Sequence, residues 1–235
     1  MFSKLAFNYY KLKLFNQLDQ EMMHISKLIK RQNVAIDVGA NIGFYSYHCS
    51  KIFKIVHAFE PIKIISKDLN NFSIKNNSVS IHNYALSNSE EEAYISVPFL
   101  KKKNVLNYGY ASLSNEFVNK KELKIYTKTL DSFNFHEVNF MKIDVEGHEN
   151  KVIEGGINTI KKFMPLILIE IEERHTGVEA SKTINKLISL GYDCIFLKNG
   201  ILENYEKFSF KVHQNKNYIG TDKYICNFFF VPKKI

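Results

Sequence analysis

The chain has 235 residues, 45% hydrophobic and 24% charged, with a formal net charge of +8. That size and balance describe a globular protein of one α/β domain, alone or with a short N-terminal addition, that builds its core without disulfides or metal. The three cysteines, Cys49, Cys194 and Cys226, are far apart and outside any CxxC pair, which argues against a disulfide framework or zinc site and points to a reducing cytoplasm.

In chain order, apolar residues from Leu12 to Lys30 recur at helical spacing (Leu14, Leu18, Met22, Ile25, Leu28) and predict an amphipathic helix. Lysines alternate with aromatics before it (Tyr9, Tyr10, Lys11, Lys13, Phe15). This stretch is read as a helical addition packed on the main domain, with peripheral membrane contact as the second reading. No apolar run is long enough to span a bilayer, and no signal-peptide h-region is expected. The expected division is therefore 1–32 as an N-terminal helical extension and 33–235 as the main domain.

Val34 to Val38 is a short apolar run of the kind that forms a buried parallel strand. A helix from Phe44 to Phe53, a strand from Ile55 to Phe59 and a helix opened by Pro61 follow, then a strand from Val79 to Leu86. Between Glu90 and Leu130, β-like pieces flank a polar stretch, 101–119, expected to be a lid or binding loop. Beyond it come a strand over Val138 to Val145, a helix over Glu149 to Phe163 and a strand over Leu166 to Ile171. A helix from Ala180 to Leu190 and strands at Tyr192 to Leu197 and Ile225 to Val231 complete the chain. Alternating strands and helices imply a mostly parallel sheet between helices.

Ligands of such sheets bind at the carboxyl ends of the strands. The first turn there is Asp37-Val38-Gly39-Ala40-Asn41-Ile42-Gly43. Gly39 and Gly43 admit close backbone approach, and Asn41 tolerates a left-handed backbone. The dinucleotide pattern GxGxxG fails, since Asn41 and Phe44 stand where its later glycines belong. Asp37 would repel a pyrophosphate and attract an ammonium group. Glu60, 17 residues past Gly43 and at the end of the second strand, is placed to accept hydrogen bonds from both hydroxyls of a ribose, worth roughly 1.5–3 kcal/mol each.

These residues resemble the class I methyltransferase pattern. DVGANIGFYS, AFEP, NYALSNSE, TLDSF and MKIDVEGHENKVIEGG, followed by PLILIEIE, resemble the FkbM family of methyltransferases, in order from Val34 to Ile171. The resemblance implies a Rossmann-like α/β fold with a seven-stranded sheet. It also implies S-adenosylmethionine as cofactor and methylation of a hydroxyl on a sugar, glycan, glycolipid or related small molecule. By the same pattern Asp37, Gly39, Ala40, Asn41 and Gly43 would surround the methionine part. Glu60 and Pro61 would lie at the ribose, and Tyr84, Ala85 and Leu86 along the adenine.

The candidate reaction site is Lys142 to Glu149. On a strand, Lys142, Asp144 and Glu146 share one face at the carboxyl edge. Methyl transfer needs the acceptor oxygen in line with methyl and sulfur, positioning worth ~7–11 kcal/mol, and a base adds ~10²–10⁴-fold. Asp144, Glu146 and His148 are candidates for that base, with Asp144 first and contact to the sulfonium end its alternative role. Lys142 is the further catalytic candidate, with pairing to a neighbouring carboxylate as its other reading. Asp144 and Glu170 end successive strands and could meet near the acceptor; two carboxylates do not make a metal site, so a divalent metal held there by oxygen ligands is the second reading. His175 and the segment Gly109 to Leu113 are read as acceptor-side residues.

Two other readings are a cofactor-binding scaffold without turnover and a nucleic-acid methyltransferase. Against the last, the lysines are spread along the chain, the prolines are isolated, and no cysteine follows a proline, so the Pro-Pro-aromatic and Pro-Cys motifs are missing. A nicotinamide oxidoreductase is disfavoured by Asp37, Asn41 and Phe44.

Overall fold

The computed structural model describes residues 4, 8–9, 19–100, 105–114, 117–177 and 179–233. Most of the expected N-terminal helix, including Leu14, Leu18, Tyr10, Lys11, Lys13 and Phe15, and the lysine run 101–103 lie outside them. What is described of that helix is α1 (Met22–Leu28). Met22 and Ile25 are buried against one face of the sheet, and so is Tyr9, whose hydroxyl meets His48 Nδ1 at 2.5 Å.

After α1 come β1 (Val34–Val38), α2 (Phe44–Cys49), β2 (Ile55–Phe59), α3 (Lys67–Ser73) and β3 (Val79–His82). β4 (Ala85–Leu86), β5 (Glu92–Leu100), β6 (Val105–Leu106) and β7 (Lys120–Lys128) follow. Next are β8 (Phe140–Ile143), α4 (Glu149–Gly155), α5 (Ile157–Phe163), β9 (Leu166–Glu170) and α6 (Glu173–Thr176). α7 (Glu179–Ser189), β10 (Tyr192–Lys198), β11 (Ile201–Asn204), α8 (Phe210–His213) and β12 (Asn227–Pro232) complete the described chain.

The main sheet has the order β11-β10-β12-β9-β8-β1-β2-β3. β1 lies parallel between β2 and β8, β9 parallel to β8, and β12 antiparallel to both β9 and β10. The fold is the Rossmann-like α/β arrangement expected. Strand order reverses beside β1, which opens a crevice at the carboxyl ends of β1 and β8, where such folds bind ligands. Apolar clusters on both faces bury β1, β8 and β9, hence their nearly unbroken apolar sequences.

Several boundaries differ from expectation. The sheet has eight strands among the described residues, because Asn199-Gly200 turns β10 back into β11. Both turn residues have positive φ, 51° and 77°, the backbone of the two-residue turn that suits the twist of paired strands. The expected third strand divides at Asn83 and Tyr84, and its second half pairs with β7 instead. The expected lid region is largely a second sheet, β4-β7-β5-β6, over its own apolar cluster of Ile62, Ala85, Ile95, Val97 and Ile125. Pro61 does not open a helix: Glu60 Oε1 accepts from Ile62 N at 2.8 Å and holds a turn there, so α3 starts at Lys67. The helix expected over 149–163 is broken at Gly156.

Candidate active site

The carboxyl ends of β1, β2, β8 and β9 open into a cavity of about 370 Å³. Asp37, Gly39, Ala40, Asn41, Glu60, Pro61, Ala85, Lys142, Asp144, Glu146 and His148 all line it, so the structure gathers nearly every candidate residue on one wall system. Gly43 is the exception. A Cβ there would lie 2.7 Å from Leu69 Cδ1, so this glycine seats α2 against α3 rather than facing a ligand. Tyr84 is also outside the lining, although Ala85 and Leu86 are in it.

The first turn is shaped by what it must pass. Gly39 has φ +79°, and a Cβ would fall 1.9 Å from the Asp144 carbonyl oxygen, which excludes every side chain. Asn41, at φ 51°, donates its backbone N–H to Glu60 Oε2 at 2.9 Å. With Ile62 N on Oε1, both carboxylate oxygens are oriented by backbone, each keeping acceptor capacity. Burial pushes Glu60 up to about 7, against the pull of those two bonds. Asp37 is also buried; burial raises it to about 6, while the Ser46 hydroxyl, at 2.5 Å from Oδ2, pulls the other way.

Lys142, the register partner of Asp37 on the adjacent strand β8, is fully buried, its ammonium 3.1 Å from Asn227 Oδ1 and 3.6 Å from Asp144 Oδ2. Burial alone would pull the amine down, but the charges of Asp144 and Glu170 outweigh it and hold it above its ordinary value. The strand alternation expected to bring Glu146 to the site does not do so, because β8 ends at Ile143. Glu146 is instead turned in by a left-handed backbone, φ 53°. Its carboxyl is pushed up to about 8 by burial and then by the charges of Asp144 and Glu172, and lies 3.3 Å from His175 Nδ1. His175 is therefore behind Glu146 rather than in the cavity lining.

His148 is bound at both ring nitrogens: Nε2 meets Ser87 Oγ at 2.9 Å and Nδ1 meets Ser114 Oγ at 2.8 Å. Burial lowers it to about 4. A ring held on both sides has no nitrogen to turn towards an acceptor, so its geometry is that of a pin between the core and the second sheet. Ser112 Oγ adds a 2.6 Å bond to the Glu146 carbonyl. Tyr108, Gly109, Ala111 and Leu113, from the segment so pinned, also line the cavity.

Residues that the sequence reading did not single out also line the cavity: Asp19 and Met22 before and in α1, Phe44 and Tyr45 at the start of α2, and Ile62, Ile65 and Ile95. Phe44 and Tyr45 follow directly from the Gly43 turn and were findable; Asp19 carries no local signal. Glu170, Glu172 and Cys226 place donor atoms within 4.8 Å of one another. Glu172, however, is taken up by a two-pronged pair with Arg174 and by the Tyr224 hydroxyl, so these side chains do not fit a metal site. No helix among the described residues is long and apolar enough to cross a membrane.

The methyltransferase FkbM domain model matches residues 37–194. Among solved structures, methyltransferase FkbM from Methylobacillus flagellatus KT is 15% identical with TM-score 0.58, covering 93% of this chain and 52% of that one. The chain thus spans about half the length of that protein. An rRNA methylase from Streptococcus thermophilus is 9% identical with TM-score 0.52, covering 91% of this chain and 95% of that one. A search of curated proteins found no match. At these identities the structures show a shared fold, and the domain match, over most of the chain, shows the family: this chain belongs to the FkbM methyltransferases.

Proposed function

We propose that this methyltransferase uses S-adenosylmethionine and acts on a hydroxyl of a sugar, glycan, glycolipid or related small molecule. The observation that carries the reading is Glu60. Its carboxylate is buried at the end of β2, aimed by two backbone N–H groups and open to the cavity, as a ribose diol requires. Asp37 and the Gly39 turn would take the methionine end, and Ala85 and Leu86 would flank the base. The donor set fits: acids at the ammonium and ribose positions, and a turn with no side chain at its closest approach.

S-adenosylmethionine, when bound, supplies a methyl group on a positively charged sulfur. Asp144, at the carboxyl end of β8 and oriented by Lys142, would hold the acceptor's hydroxyl and take up its proton. The second sheet and its segment 105–114 would close the site from water. The acidic lining disfavours a phosphodiester acceptor, which sets the nucleic-acid reading behind a small polyhydroxylated one.

Calorimetric titration of S-adenosylmethionine and S-adenosylhomocysteine into wild type, Asp37→Ala and Glu60→Ala tests the cofactor. Binding that weakens by about 10- to 100-fold in each variant is expected, the equivalent of one lost charge-assisted bond. A folded wild type that binds neither compound would overturn the reading.

A further inference from the structure

The protein is basic overall, yet its cavity is lined by Asp19, Asp37, Glu60, Asp144, Glu146 and Glu170, with Lys142 the only lysine or arginine among the described lining residues. Strand order separates these acids. Asp37 and Glu60 end β1 and β2, the half assigned above to the cofactor. Asp144 and Glu170 end β8 and β9 on the other side of the switch point, Glu146 follows Asp144, and Asp19 borders the same cavity from the segment ahead of α1. Lys142 answers only part of this charge. Its nearest carboxylate is Asp144.

Glu170 is the telling member. It lines the cavity, is half-buried, and accepts no hydrogen bond from any described residue. The charge of Asp144, then burial, pushes its carboxyl well above the ordinary range. A half-buried acid without a hydrogen-bond donor, crowded by other carboxylates, is unfavourable, and a cation arriving among these groups relieves the mutual repulsion. A divalent metal suits the place poorly, since the Lys142 ammonium already stands beside Asp144.

We propose that the acceptor half of the cavity recognises a primary ammonium group on the hydroxyl-bearing acceptor, as in an amino sugar, through Glu170 and Asp19. This rests on the methyltransferase reading above and narrows its substrate class. The methylated oxygen would lie towards Asp144 and the ammonium towards Glu170 and the mouth at Asp19.

The test uses the full chain saturated with S-adenosylhomocysteine, titrated with glucosamine and with N-acetylglucosamine below the pKa of the amine. A preference of about tenfold or more for glucosamine is expected, the weight of one charge-assisted contact. It should fall towards unity in Glu170→Gln and in Asp19→Asn, the latter an exposed position that decides the matter should the former fail to fold. Equal binding of the two sugars, binding of neither, a preference that survives in both variants, or a preference that needs added Mg²⁺ would overturn the proposal. Failure of wild type to bind S-adenosylhomocysteine, measured first, would instead sink the cofactor reading.

Discussion

The two halves of the cavity are built in opposite ways. The cofactor half is local: Asp37, Gly39, Asn41 and Glu60 lie within one strand–turn–helix–strand unit, Glu60 is held by the Asn41 and Ile62 backbone N–H groups, and Asp37 by the nearby Ser46 hydroxyl. The acceptor half is assembled from segments that are distant in sequence: Asp19, Tyr45, the 108–113 segment, Asp144 to His148, and Glu170. The first half is held by main-chain geometry, the second by side-chain pins such as Ser114–His148–Ser87 and Ser112–Glu146. A unit fixed by its own backbone tolerates change around it, while an assembled wall can be rebuilt for another acceptor without disturbing the cofactor.

Three experiments would break or sharpen that contrast. The largest effect is expected from Gly39→Ala, which drives a methyl group into the Asp144 carbonyl and strains a left-handed residue. The loss should be about 3 kcal/mol in denaturant unfolding, with cofactor binding abolished. A variant that unfolds like wild type would show that the turn is not rigid.

Ser114→Ala should cost less, about 1 kcal/mol, and the loss should be confined to the pinned side. Hydrogen exchange is expected to quicken over 105–114 and leave β1 and β2 unchanged. Equal quickening in both would mean that the halves are not separable.

The smallest effect is a pH trend in the unliganded protein. Glu60 and Glu149, raised to about 7, and Glu146, raised to about 8, all bind protons more tightly folded than unfolded. Their contribution is therefore lost as pH rises through those values. The buried histidines, lowered from their usual range, are neutral in both states above about pH 7 and do not oppose the trend. Thermal midpoints should fall by about 2–4 °C between pH 7 and 9, the shift that ~1 kcal/mol gives a domain of this size. Saturating S-adenosylhomocysteine would flatten the slope at Glu60 and leave that of Glu146, separating the halves by proton linkage.

The outline of the fold was legible because parallel strands buried on both faces must be apolar throughout, as Val34 to Val38 and Leu166 to Glu170 are. The second sheet was less so. Its strands Glu92–Leu100 and Lys120–Lys128 are amphipathic and exposed on one side, and charged residues such as Lys121, Glu122 and Lys124 weaken the alternation. The Asn199-Gly200 hairpin had a clear turn signature that the reading passed over, taking β10 as a lone strand.

The chain's own sequence carried the signature of the cofactor turn. Asparagine at 41 and glutamate at 60 follow from backbone angles and spacing within about 25 residues, which a linear string carries, while the glycine at 39 is readable there although the Asp144 carbonyl is what requires it. Only the tertiary structure decided the rest. It made Gly43 a packing residue, bound both nitrogens of His148, turned Glu146 inward through its backbone, and brought Asp19 and Tyr108 to the same cavity. Each of these depends on a neighbour far away in sequence, and burial and partnership are properties of that neighbour as much as of the residue itself.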